Sequence, residues 1–371
     1  MLERILGFAI YRRWFVVAAT LVMAGIGVQS YQRLPIDAVP DITNVQVQIN
    51  TEAVGYSPLE VEQRVTVPIE TALAGLPGLD HTRSISRYGL SQVTVVFVDG
   101  TDIYFARQLV NERVQQVRSS LPPELTPAAG PIATGLGEIV LFLVENTVPD
   151  GPHTPTELRT LNDWVIRPQL RTVPGVVDVN AIGGNVKQFH VTPHPDRLIA
   201  HGLGFDDLVR ALLANNANVG AGYIERNGEQ YLVRAPGQIA GIEDVRRIVV
   251  GQDDDVPILV RDVADVLIGS ELRNGAATEN GREVVLGTVF MLMGENSRAV
   301  SERVGRKMEE INATLPDGVV ATTVYSRMDL VNATIATVRT NLFEGAVLVV
   351  VVLFLLLGNL RAALVTSLVI P

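Results

Sequence analysis

Any metal chemistry in this 371-residue sequence must rest on oxygen and nitrogen donors and thioethers, since it has no cysteine, five histidines and six methionines. Imidazole and carboxylate suit borderline divalent cations such as zinc, whereas cuprous copper and silver prefer sulfur. No methionine cluster favours the softer metals: Met23 lies in an apolar stretch, and Met291 and Met293 share one face of a strand-like segment, most simply as core. His190 and His194 have the spacing of one helical face, but Pro193 and Pro195 argue against a helix and against a shared metal. His81, His153 and His201 lack partners at ligand spacing and read as surface residues. Among the 40 acidic side chains, two are singled out for testing. Glu138 opens a strand after a Gly-Leu-Gly turn, and Asp178 stands between Val177 and Val179, both in apolar strand surroundings. The alternative for each is a carboxylate turned from a sheet face into water. There is no phosphate loop with a following lysine, no GxSxG and no HExxH, so neither ATP hydrolysis nor another enzymatic activity is expected, and no cofactor.

A hydrophobic share of 47% beside a net charge of −10 means that the apolar residues are gathered in particular stretches. Trp14 to Gln32 has no charged side chain, which gives about 19 residues against the roughly 20 that cross a bilayer. Leu342 to Leu360 is a second such stretch, interrupted only by Glu344, which is read as lying near the outer interface where an acid stays hydrated. Arg4, Arg12 and Arg13 before the first stretch and Arg361 after the second place both of those ends in the cytoplasm, with roughly 300 residues outside. A cleavable signal peptide is the alternative for the first stretch. The absence of cysteine excludes a disulfide scaffold, and no basic patch suits nucleic acid. An acidic exterior suits cations, although a solvated acidic surface explains it as well.

The external region repeats itself. Ser57-Pro58-Leu59-Glu60 aligns with Thr154-Pro155-Thr156-Glu157, and the same offset brings Leu76-Pro77-Gly78 onto Val173-Pro174-Gly175 and Ile69 and Leu73 onto Ile166 and Leu170. Further along the offset doubles: Gly100 meets Gly294, Val110 meets Val304, Arg113 meets Lys307 and Leu121-Pro122 meets Leu315-Pro316. The second copy therefore carries an insertion. In the first copy the pattern gives strands near 44–49, 82–86 and 92–98 and helices near 58–74 and 102–120. A strand at 138–145 is read as shared with the start of the next copy. That order is the split βαββαβ, ferredoxin-like sandwich. In the insertion, about 186–277, Asn227-Gly228 lies between strand-like arms that hold Tyr223 and Tyr231, a hairpin pattern suited to oligomerisation, though an ordinary surface loop fits too.

This layout resembles the N-terminal part of a resistance-nodulation-division efflux pump. LPIDAVPD at 34–41, YGLSQVTVVF at 88–97, GTDIYFAR at 100–107, GLGE at 135–138, GAGYIERNGEQYLVRAPGQ and TENGREVVLGTVFMLMGENSRAV resemble the heavy-metal branch, specifically the cobalt-zinc-cadmium type. The resemblance covers the whole chain and implies an α+β membrane protein. Residues 1–33 would hold the first transmembrane helix, 34–137 the first porter subdomain, and 138–185 with 278–327 the second. A docking subdomain at 186–277, a linker helix and second transmembrane helix at 328–360, and the beginning of a third at 361–371 would complete it.

The resemblance further implies a proton-driven exporter of zinc, cobalt, cadmium or nickel in a bacterial inner membrane, with a large periplasmic region and a cytoplasmic N-terminus. It would be a homotrimer that engages a periplasmic adaptor and an outer-membrane channel, with the hairpin of Tyr223, Asn227, Gly228 and Tyr231 reaching a neighbouring protomer. Glu138 and Asp178 would serve the porter metal site. A complete member would be about three times as long, so the chain is expected to be a fragment without the proton relay. An exporter of amphiphilic drugs is the rival within this class, but its pocket calls for more aromatic residues than the 5% present. A two-span receptor is disfavoured by the short turn from Gly358 to Arg361 and the apolar run after it.

Overall fold

The computed structural model describes residues 7, 10–33, 44–133, 135–148, 151–216, 219–235, 237–253, 255–273 and 275–361. The motif at 34–41 and the third-span segment 362–371 lie outside them. Helix α1, Arg13–Arg33, opens this part of the chain. It has no charged residue in its interior, and Arg13–Gly27 is a short apolar helical stretch. Among the described residues one helical segment, Arg327–Leu356, is long and apolar enough to cross a membrane.

The first sandwich alternates β1 (Gln46–Glu52), helix α2 (58–73), β2 (Leu79–Arg87), β3 (Leu90–Phe97), α3 (Ile103–Val117) and β4 (Ala128–Ala129). Its sheet order is β2-β3-β1-β4, with antiparallel pairing throughout. Val47 and Ile49 of β1 face a core built with Val65, Ile69, Leu73, Val110 and Val114 from the two helices. Each helix starts where its sequence provides a cap. The Ser57 hydroxyl accepts from the Glu60 amide while the Glu60 carboxylate accepts from the Ser57 amide, and Asp102 accepts from the Phe105 amide. The two-residue β4 is secured by Arg107 of α3, which donates to the carbonyls of Ala129 and Gly130.

The second sandwich repeats this frame with β5 (Glu138–Asn146), α4 (155–170), β6 (Val176–Ile182), β13 (Ala277–Glu279), β14 (Arg282–Met291), α9 (Ser297–Asn312) and β15 (Val319–Ser326). The segments numbered between them belong to the insertion. Thr154 and Glu157 repeat the capping box, and Asn296 repeats the cap of Asp102. Strand β14 pairs with β5 and β6, and β15 closes on β5, so the order β6-β14-β5-β15 matches the first sheet. Strand β5 thus serves the second sheet alone, and β4 closes the first. The sharing of 138–145 expected from sequence is replaced by two separate closing strands.

Both α2 and α4 contain a π-helical turn, Glu62–Thr66 and Asn162–Ile166, followed closely by Pro68 and Pro168. A proline inside a helix has no N–H to donate and crowds the carbonyl four residues back, and a widened turn relieves that conflict.

The insertion leaves after β6 and comprises β7 (Lys187–Pro193), α5 (Pro195–Ala200), α6 (Phe205–Ala214), β8 (Val219–Arg226), β9 (Glu229–Ala235), α7 (Ile242–Arg246), β10 (Val249–Asp253), β11 (Val256–Leu259), α8 (Val260–Val263) and β12 (Ala264–Ser270). Leu208, Val245, Ile248, Val260 and Val266 give it a core of its own. Strands β7 and β12 pair antiparallel with Lys187 opposite Ser270, and the Glu271 amide donates to the Val186 carbonyl. Exit and return are therefore neighbours in a two-stranded neck. Helix α10, Arg327–Leu357, an unbroken run of 31 residues, follows β15 and is capped by Gly358.

Candidate metal-handling row on the second sheet

The two acids singled out by sequence stand on one row of the second sheet. Phe290 of β14 is the register partner of Glu138 on β5 and of Asp178 on β6. Residues directly opposite on neighbouring strands share a face. Val179, Val289, Val140 and Ser326 form the next row, and Asn180, Thr288, Leu141 and Tyr325 the one after it. Two bulges bracket Phe290: Ile139 is extra on β5, and Val177 is extra on β6. Bulges break the regular alternation and re-aim side chains beside them, and they recur next to functional sites.

The acids differ in their surroundings. Asp178 is half-buried and already partnered: Arg167 Nη2 lies 3.0 Å from its Oδ1, Arg171 Nε lies 3.8 Å away, and the Val179 amide donates to Oδ1 at 2.8 Å. Glu138 is exposed, and no hydrogen bond or ion pair engages its side chain among the described residues. Two strand spacings separate their backbones by roughly 10 Å. The combined reach of a glutamate, an aspartate and two metal–oxygen bonds of about 2.0–2.2 Å covers that span. Among the described residues no group of three His, Asp or Glu gathers around one point, so further donors are needed to complete a coordination sphere.

Three of the five histidines sit beside a carboxylate or a backbone carbonyl. His190 lies on β7 and His194 caps α5 from outside it, so the two do not share a helical face. His194 Nε2 sits 3.0 Å from Asp265, His81 pairs with Asp80 at 2.9 Å, and His153 reaches the Asp317 carbonyl at 3.0 Å. Met291 is buried in the core at the end of β14, and Met293 follows that end. Glu344 lies well inside α10 and is exposed. A further acid escaped sequence reading. Glu145, at the other end of β5, has its carboxyl pushed above the ordinary range by burial and then by the nearby Glu279 charge, against a hydrogen bond from Thr322.

The inserted hairpin folds as its turn residues require. Asn227 and Gly228 hold φ of 55° and 80°, as a type I′ turn demands, and join β8 to β9 in antiparallel register. Tyr223, Ile224 and Tyr231 are all exposed on it.

Comparison with known proteins sets this geometry in a lineage. The chain is 64% identical to Protein HelA of Legionella pneumophila over its whole length, which is 36% of HelA. It is 63% identical to the cobalt-zinc-cadmium resistance protein CzcA of Cupriavidus metallidurans, again over its whole length and 35% of CzcA. The crystal structure of a heavy metal efflux pump matches with a TM-score of 0.89 at 33% identity, covering 99% of this chain and 36% of that one. The chain thus spans about a third of the length of the curated relatives it matches. The model of the AcrB/AcrD/AcrF family matches residues 5–371, and the chain belongs to that family.

Proposed function

We propose that this chain supplies porter and docking elements of a proton-driven pump that exports divalent transition-metal cations across a bacterial inner membrane. The cation is cargo, and Glu138 and Asp178 receive it on its way out. The observation that carries this reading is their placement on one row of the second sheet, on either side of Phe290 and beside two bulges. Free Glu138 offers the first ligand, and Asp178 joins when the ion displaces Arg167. Zinc export by the full transporter, measured from cells loaded with the metal, tests this. Glu138→Lys with Asp178→Lys is expected to abolish export, and export at the unaltered rate would overturn the reading.

The pump acts as a trimer joined to a periplasmic adaptor and an outer-membrane channel, and the exposed Tyr223 and Tyr231 of the hairpin bear on a neighbouring copy. Tyr223→Ser with Tyr231→Ser is expected to shift the detergent-purified transporter from trimer toward monomer in light scattering. An unchanged mass would remove the hairpin from the interface.

A further inference from the structure

Arg327 is the first residue of α10, and it is only 5% exposed although it carries a charge. Its guanidinium donates through Nη1 to the carbonyl oxygen of Leu136. Leu136 is the middle of the turn Gly135–Gly137, and Glu138 follows that turn directly. On its other side the turn rests against β14. Gly137 is buried, and a β-carbon there would stand 3.2 Å from the carbonyl oxygen of Met291, the neighbour of Phe290. The Met293 amide also donates to the Ile132 carbonyl just upstream, at 3.3 Å. The turn that presents Glu138 is therefore clamped between the C-terminal end of β14 and the root of α10.

The root is firmly seated. Val331, one turn further along α10, is 1% exposed, and α10 packs on both β5 and α9. From Arg327 the same helix continues without a break into the segment apolar enough to span a membrane. A rigid helix passes displacement of one end to the other, and a buried guanidinium fork holds its acceptor in a fixed direction.

We propose that Arg327 is a positioning residue that ties the placement of Glu138 to the position of α10, so that a shift of the membrane-spanning helix is felt at the cation row. The proposal rests on the reading of Glu138 as a cation ligand. The first residue of the helix holds the turn next to the ligand, with no other element between.

Zinc affinity of the full purified transporter, by equilibrium dialysis with zinc ion alone, tests this as a double-mutant cycle. Arg327→Met is expected to weaken zinc binding about fivefold to tenfold in the otherwise unaltered protein and to have no effect in a Glu138→Gln background, because it acts through Glu138. An equal loss in both backgrounds, or no loss in either, overturns the proposal. Should Arg327→Met fail to accumulate in the membrane, Arg327→Lys, which keeps the charge but replaces the planar fork with a single ammonium, carries the same cycle with a smaller expected loss. Hydrogen exchange of residues 135–140 is the independent arm. Faster exchange in the Arg327 variant supports the tie, and unchanged exchange refutes it. If Glu138→Gln alone leaves zinc affinity intact, the site reading has failed, and the exchange arm then decides the tie without it.

Discussion

In the first sheet His81, Val96 and Gln46 form a row at the position that Asp178, Phe290 and Glu138 hold in the second. The two rows share an irregularity: Asp80 is an extra residue on β2 as Val177 is on β6, at the same step of the register. Only the second sheet adds a further bulge, at Ile139 beside Glu138, where the pairing of β1 with β3 is regular. In the first row the Gln46 side-chain oxygen accepts from Arg83 and His81 Nδ1 is held by Asp80. The second row keeps one carboxylate free. The repeats thus share a frame whose backbone accommodates a polar row in both copies, and the second copy differs by two carboxylates and one more bulge.

A second contrast lies at the π-turns. In the first sandwich the turn is anchored by neutral hydroxyls, with Thr66 Oγ1 2.9 Å from Ser86 Oγ and 2.7 Å from Ser91 Oγ. In the second, the π-turn's Asp163 takes the Nε–H of Arg159 at 2.7 Å, and the same guanidinium donates to the Gly183 carbonyl at 2.9 Å. Gly183 is where the chain leaves for the insertion. A charge-assisted pair is roughly twice as strong as a neutral one and more directional, and it stands where the chain leaves the frame for the insertion.

The contrast can be broken most severely in the core. Phe142 of β5 lies opposite Gly287 of β14, and a β-carbon at Gly287 would collide with its ring, whereas the first sheet has Val93 at the corresponding place. Transplanting that residue as Gly287→Val is expected to cost about 1–3 kcal/mol or more through overpacking, while Phe142→Ala costs about 3–5 kcal/mol. Chemical denaturation of the purified chain reads both, and a neutral Gly287→Val would show that the two cores are interchangeable.

Next come the anchors. Arg159→Met is expected to destabilise by about 1.5–3 kcal/mol and Thr66→Val by about 0.5–1.5 kcal/mol. The first should also speed hydrogen exchange across 183–187. Equal losses would erase the distinction drawn between the anchors.

The smallest effects concern pH. Hydrogen bonds from the backbone and hydroxyl of Ser57 hold the Glu60 carboxyl below its usual range, and those of Thr154 do the same for Glu157. Their support for the helix starts is complete above the ordinary glutamate range and fades as pH falls through the lowered values. Glu145 has the opposite sign: its raised carboxyl costs stability at neutral pH, and the cost is relieved as pH falls through the raised value. Glu145→Gln should therefore raise the melting temperature at neutral pH and not at acid pH, while Ser57→Ala and Thr154→Ala each cost about 1 kcal/mol at neutral pH. A pH-independent gain for Glu145→Gln would reject this account.

Much of the frame was legible because it is written in local chemistry. Ser57 with Glu60 and Thr154 with Glu157 announce helix starts, Asn227-Gly228 announces a hairpin, and the doubled offset announces the insertion. The site was legible only as two acids in apolar strands. Their common row depends on the pairing of β14 with both β5 and β6, strands far apart in sequence, and on bulges that leave no compositional trace. The pairing of Arg167 and Arg171 with Asp178 was equally hidden, because it joins a helix end to a strand. Interior Pro68 and Pro168 were a usable signal for the π-turns. The two-residue β4 offers almost none, since Arg107 rather than strand propensity secures it.

The length of α10 has a consequence of its own. Thirty-one helical residues extend about 46 Å, which exceeds the roughly 30 Å hydrocarbon core by some 15 Å. A helix of that length set across a bilayer would stand clear of the lipid like a mast, with Arg327 at one tip. Tilting such a mast by about 10° about a point at mid-membrane sweeps its tip sideways by roughly 5 Å. That travel is comparable to the spacing between neighbouring strands, so a modest tilt of such a helix is geometrically enough to change which groups meet at its tip.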